Sequence, residues 1–338
     1  MRLSLITIGC LVSLISPQGQ AGNAEAEPNF SFYGRLHLAL NRLDADSQSP
    51  LMRVSNNTSR FGLRGDVEIR PGLRGVMQFE ASVNTESQRD LLGLRDSFIG
   101  LQGRWGLLRV GKIGTSLKAL RSRTDLFSEQ IGDARNIVRG NYAGQQGFDE
   151  RFDNSINYRT PAWNGWTGEL HYTAQPGVRA ESDDAWSTSL TYQQGPVRFA
   201  MARERWNETP AGQSRSKTRA SGYLDHEQWR FIALAQRANN PDDVSWGLGV
   251  QRKLSDRLIL KSQYYRLEAQ DSDFDSQMFV IGASHQTTAS MVTYLHLGRT
   301  GNGESQNRTP WRQSSNLSPN LAPGQDGSAV ALGMIYSF

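Results

Sequence analysis

The chain has 338 residues, enough for two ordinary domains but also common for a single all-β unit. Hydrophobic residues make up 37 %, glycine is frequent at 33, and the mean hydropathy is −0.55, so a solid core of this size would be hard to fill. The formal charge of +4 could suit a nucleic-acid binder, but the basic residues are interleaved along the chain instead of gathered in a patch, so no nucleic-acid partner is expected.

Residues 1–26 read as a secretory signal peptide, removed on export. Arg2 is the positive start, Leu3 to Ile15 the apolar run, and Ala24-Glu25-Ala26 the cleavage site. The apolar run is too short to span a bilayer as a helix. The single cysteine, Cys10, leaves with the leader, so the mature chain is expected to have no disulfide framework. No later run of about 18 apolar residues exists, which excludes helical membrane spans.

From residue 27 onward the pattern is period-two alternation. Phe32, Leu36, Leu38 and Leu40 alternate with Tyr33, Arg35, His37 and Ala39. Phe61, Leu63, Val67 and Ile69 alternate with Arg60, Arg64, Asp66 and Glu68; beyond Pro71-Gly72 the same alternation resumes with Leu73, Met77 and Phe79. Such runs joined by tight turns predict hairpins, in water or in lipid alike. Turn spacing separates the two. Compact turn signals near residues 71, 104, 163, 195, 226, 256 and 287 recur about every thirty residues, the length of a transmembrane hairpin.

One step is about twice as long. It contains Gly114 to Arg151, a polar, glycine-dotted stretch too long for an ordinary connection. Seven short turns join fourteen inner strands, and a first and a last strand close the ring. The expected fold is therefore all-β: a 16-stranded antiparallel transmembrane β-barrel over 27–338, with residues 114–151 folded into the lumen. Trp105, Trp163, Trp166 and Trp229 near the short turns, and Trp206, Trp246 and Tyr265 near the other end, are expected to form two interfacial girdles. The last strand alternates through Val330, Leu332, Met334 and Tyr336 to a terminal Phe338.

Several stretches resemble the general trimeric porins of Gram-negative outer membranes. They are Phe32-Tyr-Gly-Arg35, Ser59-Arg-Phe-Gly-Leu-Arg-Gly65, Gly72 to Glu80, Arg95-Asp-Ser-Phe-Ile-Gly-Leu101, Arg109-Val-Gly-Lys112, Arg151 to Tyr158, and Phe338. The resemblance implies a water-filled channel for passive diffusion of small hydrophilic solutes and ions. It also implies a homotrimer in the outer membrane, in contact with outer-membrane lipid and lipopolysaccharide. Tyr336 and Phe338 look like the signal read by the outer-membrane assembly machinery.

Carried onto this chain, the wall's basic cluster would be Arg35, Arg60, Arg95 and Arg151. Glu80 would be a lumen acid, and Asp125, Glu129 and Asp133 are the loop acids from which the cluster's partner must come. Further lumen-facing positions by phase are Arg64, Arg74, Arg109 and Arg159. Inward-phase basic residues outnumber inward-phase acids, so a mild anion preference is expected. The alternative for these arginines is simple pairing with acids on neighbouring strands.

Two rival classes use the same barrel. A barrel enzyme needs a nucleophile and a base on adjacent strands, for which His171 and Ser189 are the candidates by phase; no enzyme activity is expected. A solute-specific channel would want aromatics along the inner wall, where Tyr33, Tyr223 and Tyr265 qualify but are scattered. No H-E-x-x-H, paired-cysteine or P-loop pattern occurs, so no metal or cofactor is expected.

Overall fold

The computed structural model describes residues 27–46, 49–85, 91–139, 147–174, 184–207, 214–311, 317 and 320–338; the leader expected at 1–26 lies outside the described residues. Eighteen strand segments hydrogen-bond into one antiparallel sheet that closes on itself. Closure is made by β1 (Asn29–Ala45) against β18 (Gly327–Ser337), in register from Arg35↔Ser337 to Ala45↔Gly327. The eighteen segments make sixteen barrel strands, because two strands are interrupted. β2 (Leu51–Asn56) and β3 (Arg60–Arg70) share β1 as neighbour, while β5 (Leu92–Leu94) and β6 (Ser97–Gly103) share β4 (Leu73–Val83). The first break is the polar run Asn57-Thr58-Ser59, where Thr58 takes φ +58° and the Asn56 side chain receives the Ser59 N–H. The second is Arg95-Asp96.

The remaining strands form an even meander. They are β7 (Gly106–Gly114), β8 (Arg151–Arg159), β9 (Trp166–Thr173), β10 (Asp184–Gln194), β11 (Val197–Asn207) and β12 (Arg215–His226), then β13 (Trp229–Asn239), β14 (Val244–Lys253), β15 (Leu258–Glu268), β16 (Ser276–Thr288) and β17 (Met291–Asn302). Seven short turns lie at the end that also holds both described termini. Two sit two or three residues later than the sequence suggests: β12 runs to His226 before Glu227 turns at φ +52°, and β16 carries a bulge between Gln286 and Thr288.

Which face is apolar decides the solvent. On β1, Leu36, Leu38 and Leu40 are 40–48 % exposed, whereas His37 and Asn41 on the opposite face are 0 % exposed. An aqueous β-protein would bury the leucines and expose the polar residues. Here the order is inverted, as lipid outside and water or polar protein inside require.

The interior is filled between the wall and the segment joining β7 to β8. That segment holds α1 (Ser116–Arg123), whose Thr115 Oγ1 caps the Lys118 N–H, and the single turn α2 (Arg135–Val138). Leu117, Leu120 and Phe148 pack on Phe152 and Trp206; Phe127, Ile137 and Val138 pack on Leu234, Leu267 and Met278; and Ile131 meets Leu43 and Trp311. Two residues expected in an interfacial girdle are thus inside. Trp206 and Tyr265 share the inward phase of Glu204 and Gln263. Trp206 lies against Phe148 and Phe152, and the Tyr265 hydroxyl donates to the Thr124 carbonyl. Trp105, Trp163, Trp166 and Trp229 do stand exposed by the short turns.

Candidate pore constriction

The inner segment is tied to the wall chiefly through its backbone carbonyls. Lys217 Nζ on β12 donates to Val138 O at 2.7 Å and Arg139 O at 3.1 Å, next to the end of α2. Lys261 Nζ on β15 donates to Leu126 O at 2.7 Å, and Arg308, in the connection between β17 and β18, to Asn136 O at 2.7 Å. Arg219 on β12 donates to Leu117 O at 2.7 Å and clasps Asp149 through two contacts of 2.5 and 2.9 Å. Burial pushes the Asp149 carboxyl up, but the Arg219 and Arg121 charges outweigh it and hold the group below the usual carboxylate range.

Three acids of this segment divide into two roles. Asp125 and Asp133 turn inward to the segment itself: Arg121 Nη1 reaches Asp125 Oδ2 at 3.0 Å and Asp133 Oδ1 at 2.7 Å. Backbone N–H groups also donate to them, of Phe127 and Ala134 to Asp125 and of Glu129 and Arg135 to Asp133, and the Gln263 side-chain amide on β15 donates to Asp125 Oδ1 at 2.9 Å. They fold the loop and do not meet the wall arginines.

Glu129 does. It sits at φ +62°, its own N–H fixed by Asp133, and its side chain crosses to the wall. Arg35 Nη2 on β1 lies 2.6 Å from Oε2. Arg60 Nη1, the first residue of β3, spans Oε1 and Oε2 at 2.9 and 3.1 Å. Arg95 Nη2, in the break between β5 and β6, is 3.6 Å from Oε1. Burial raises the Glu129 pKa, yet the three guanidiniums more than offset this and hold the carboxyl well below its ordinary range.

Glu80 on β4 is the second acid of the cluster. It accepts from Arg95 Nε at 2.5 Å and from the Tyr33 hydroxyl at 3.0 Å, and Arg60 Nε stands 3.8 Å away. Both strand interruptions therefore border this cluster: Arg60 follows one and Arg95 lies within the other. Loss of ladder pairing there lets guanidiniums aim at one point instead of alternating off the sheet.

Arg151 pairs with Asp96 at 2.9 Å instead of with Glu129 or Glu80, while the other Asp96 oxygen takes the Gly114 N–H at 2.6 Å. The other predicted lumen arginines divide. Arg74 pairs with Asp66; Arg109 and Arg159 share Glu169 at 3.1 and 3.4 Å. Arg64 has no carboxylate partner among the described residues; it bonds Gln78 and lies 4.2 Å over the Tyr33 ring.

Sequence reading missed Asp96, Arg121, Lys217, Arg219 and Lys261. Asp96 directly follows Arg95, and Arg121–Asp125 has the i,i+4 spacing of a helical pair, so those two were open to inspection. The wall cations carry no local signature.

The rival sites are not assembled. His171 is opposite Ser187, and Ser189 is opposite Glu169, so the proposed base and nucleophile are out of register. Tyr33 and Tyr223 are each covered by an arginine, Arg64 and Arg230, and Tyr265 is buried under the loop, so the three make no continuous aromatic track. At the C-terminus the Phe338 N–H donates to Gly34 O, and its ring packs on Phe32 and Tyr336.

A closed barrel with an apolar exterior, a charged interior and a long segment laid against its inner wall defines a membrane β-barrel of the channel-forming type. Residues 11–305 match the Gram-negative porin family, and the chain belongs to that family. Its place is the outer membrane. Among relatives, an outer membrane porin protein of Bordetella pertussis is 27 % identical over 61 % of this chain and 60 % of its own length. The major outer membrane protein P.IB of Neisseria meningitidis is 21 % identical over 74 % of this chain and 78 % of its own. In fold, the anion-selective porin from Comamonas acidovorans superposes with a TM-score of 0.80 at 18 % identity, covering 92 % of this chain and all of that one. OmpF of Salmonella typhi superposes at 0.70 with 13 % identity, over 91 % and 97 % of the two chains.

Proposed function

We propose that the chain forms a water-filled channel for passive diffusion of small hydrophilic solutes and ions. In this reading residues 114–151 narrow it, and a mild preference for anions follows. The observation that supports the reading is the Glu129 contact: three wall guanidiniums, from Arg35, Arg60 and Arg95, share only two carboxylates, Glu129 and Glu80. Guanidiniums keep their charge at any physiological pH, so a positive surplus faces the opening. Arg64, Arg123 and Arg198, also without carboxylate partners among the described residues, add to it. Opposed fixed charges across a narrow passage orient water and favour hydrated, polar solutes, while a surplus of one sign biases the ions.

The working unit is taken as a homotrimer. Outward side chains of β3, β4 and β6 (Phe61, Leu63, Ile69, Phe79, Ile99, Leu101) carry no charge, which suits burial against a second copy. Planar-bilayer recording tests all three points. Three equal conductance steps per insertion and a reversal potential on the chloride side are expected. No conductance would overturn the channel, and a firm potassium preference would overturn the selectivity.

A further inference from the structure

Arg35 has a second polar partner besides Glu129. Its Nη2 lies 2.6 Å from Glu129 Oε2 and 2.8 Å from Nδ1 of His37, which is two residues further along β1 and so on the same face. His37 Nε2 lies 2.8 Å from the Tyr294 hydroxyl on β17, which Asn57 Nδ2 also reaches, at 3.1 Å. Asn57 Oδ1 in turn accepts from Ser55 Oγ at 2.9 Å, and Ser55 Oγ from Asn41 Nδ2 at 2.8 Å. His37, Asn41, Ser55, Asn57 and Tyr294 are all buried.

The chemistry of the donors fixes the state of the histidine. A guanidinium has five N–H donors and no acceptor, so the contact with Arg35 makes His37 Nδ1 an acceptor. An imidazolium, or the tautomer with its proton on Nδ1, would set N–H against N–H. His37 is therefore neutral, carries its proton on Nε2 and donates it to Tyr294. Tyr294 takes that bond on one lone pair and the Asn57 amide on the other.

The ring is held from several sides. The His37 N–H donates to Ser59 Oγ at 2.9 Å, and its carbonyl takes the Asn57 N–H at 2.8 Å, both from the break between β2 and β3. The His37 ring stands edge to face with Tyr294, Tyr294 stacks on His296 at 4.2 Å, and His296 meets Phe127 at 4.8 Å. This wall stack thus touches the folded-in segment at Phe127, two residues before Glu129. Arg35 itself is poorly tethered. Its Nε is buried without a partner, and Glu129 and His37 are its only side-chain partners among the described residues. Arg60 and Arg95 converge on the same carboxylate and repel it.

We propose that His37 is a positioning residue of the constriction. As a neutral acceptor it holds the Arg35 guanidinium on Glu129 against that repulsion, and so contributes to the ion preference. The inference rests on the channel reading. Without the Nδ1 lone pair, Arg35 leaves Glu129 part of the time, and the carboxylate faces the passage less neutralised.

Two amide replacements, recorded in planar bilayers under a KCl gradient, test it. Asparagine places an oxygen where Nδ1 stood, whereas glutamine extends to the position of Nε2. In His37→Gln the chloride-to-potassium permeability ratio should fall about twofold, the effect of roughly half a unit charge at about 6 Å. His37→Asn should keep the natural ratio. In an Arg35→Gln background, His37→Gln should add nothing. A merely structural histidine would affect both replacements alike, and equally in either background. Nitrogen NMR of the histidine-labelled protein in detergent, with His37 assigned by its absence in His37→Asn, should show Nδ1 bare and Nε2 protonated at neutral pH. A proton on Nδ1, an unmoved ratio in His37→Gln, or the same shift without Arg35 overturns the proposal. If His37→Gln does not assemble, the nitrogen spectrum decides. A natural chain without current overturns the channel reading as well, whereas normal current with an unmoved ratio overturns the role of His37 alone.

Discussion

Glu129→Gln is the sharpest test of the constriction. The change keeps the side chain's volume and removes one negative charge from the point where Arg35, Arg60 and Arg95 converge. For an ion passing about 6 Å away through water, that charge is worth roughly 0.7 kcal/mol. Screening at about 0.1 M salt, where the Debye length is about 10 Å, reduces it to roughly 0.4 kcal/mol. Anion and cation feel it with opposite sign, so their permeability ratio moves by about 0.8 kcal/mol, close to fourfold, towards chloride. Conductance should stay within about a factor of two, because the opening's size is kept. The assay is the reversal potential of the reconstituted channel in a tenfold KCl gradient. An unchanged potential, or a move towards potassium, would refute the claim that Glu129 faces the permeation path.

Acid should leave this contact intact over an unusual range. A carboxyl whose folded pKa lies below its unfolded value near 4.5 contributes stability above that value and loses it only as pH falls through the lower one. Selectivity should therefore hold from neutral pH to about 4; a selectivity step centred on the ordinary carboxylate range would contradict the assignment. Arg219→Met leaves Asp149 buried and deprived of its bidentate partner, with both side chains 0 % exposed. A loss of about 3–5 kcal/mol is expected in thermal unfolding, largely recovered by adding Asp149→Leu, and a single-variant loss under about 1 kcal/mol would show that the pair does not anchor the loop. In Gly132→Ala, at φ +81°, the new Cβ would lie 2.2 Å from Val280 Cγ2. A loss of about 1–3 kcal/mol should lower the temperature at which the folded band shifts on semi-native gels, with Val280→Ala restoring part of it.

The barrel was legible because alternation and turn spacing are repeated signals: the outward leucines of β1 and the evenly spaced turns all point one way. The wall arginines Arg35 and Arg60 came from the family resemblance, and their phase opposite Leu36 and Phe61 agreed with it. The partner on the loop did not, because Asp125, Glu129 and Asp133 look equivalent in a polar run. Their roles depend on Arg121, which takes two of them, and on the left-handed turn at Glu129 that sends the third outward. Trp206, and Tyr265 as a girdle residue, were misplaced for a different reason, while the inner-wall phase also given for Tyr265 holds. Aromatics near a strand end suit an interface, but their phase with Glu204 and Gln263 placed them inside, and phase is the stronger constraint. Arg151 turns to a different acid: the carboxylate of Asp96, next to Arg95 in the chain, takes it at 2.9 Å.

Lys217, Lys261, Arg219 and Arg308 bear on how such a chain's ionic behaviour is judged from composition. Each is a basic side chain directed inward, yet each donates to a peptide oxygen of the folded-in segment instead of facing the aqueous path. They act as moorings. Two relatives with the same tally of lysine and arginine could then differ widely in what they admit, depending on how many of those charges are engaged in holding the segment down. Conversely, an uncharged substitution in that segment that released one mooring would alter the current without changing net charge at all.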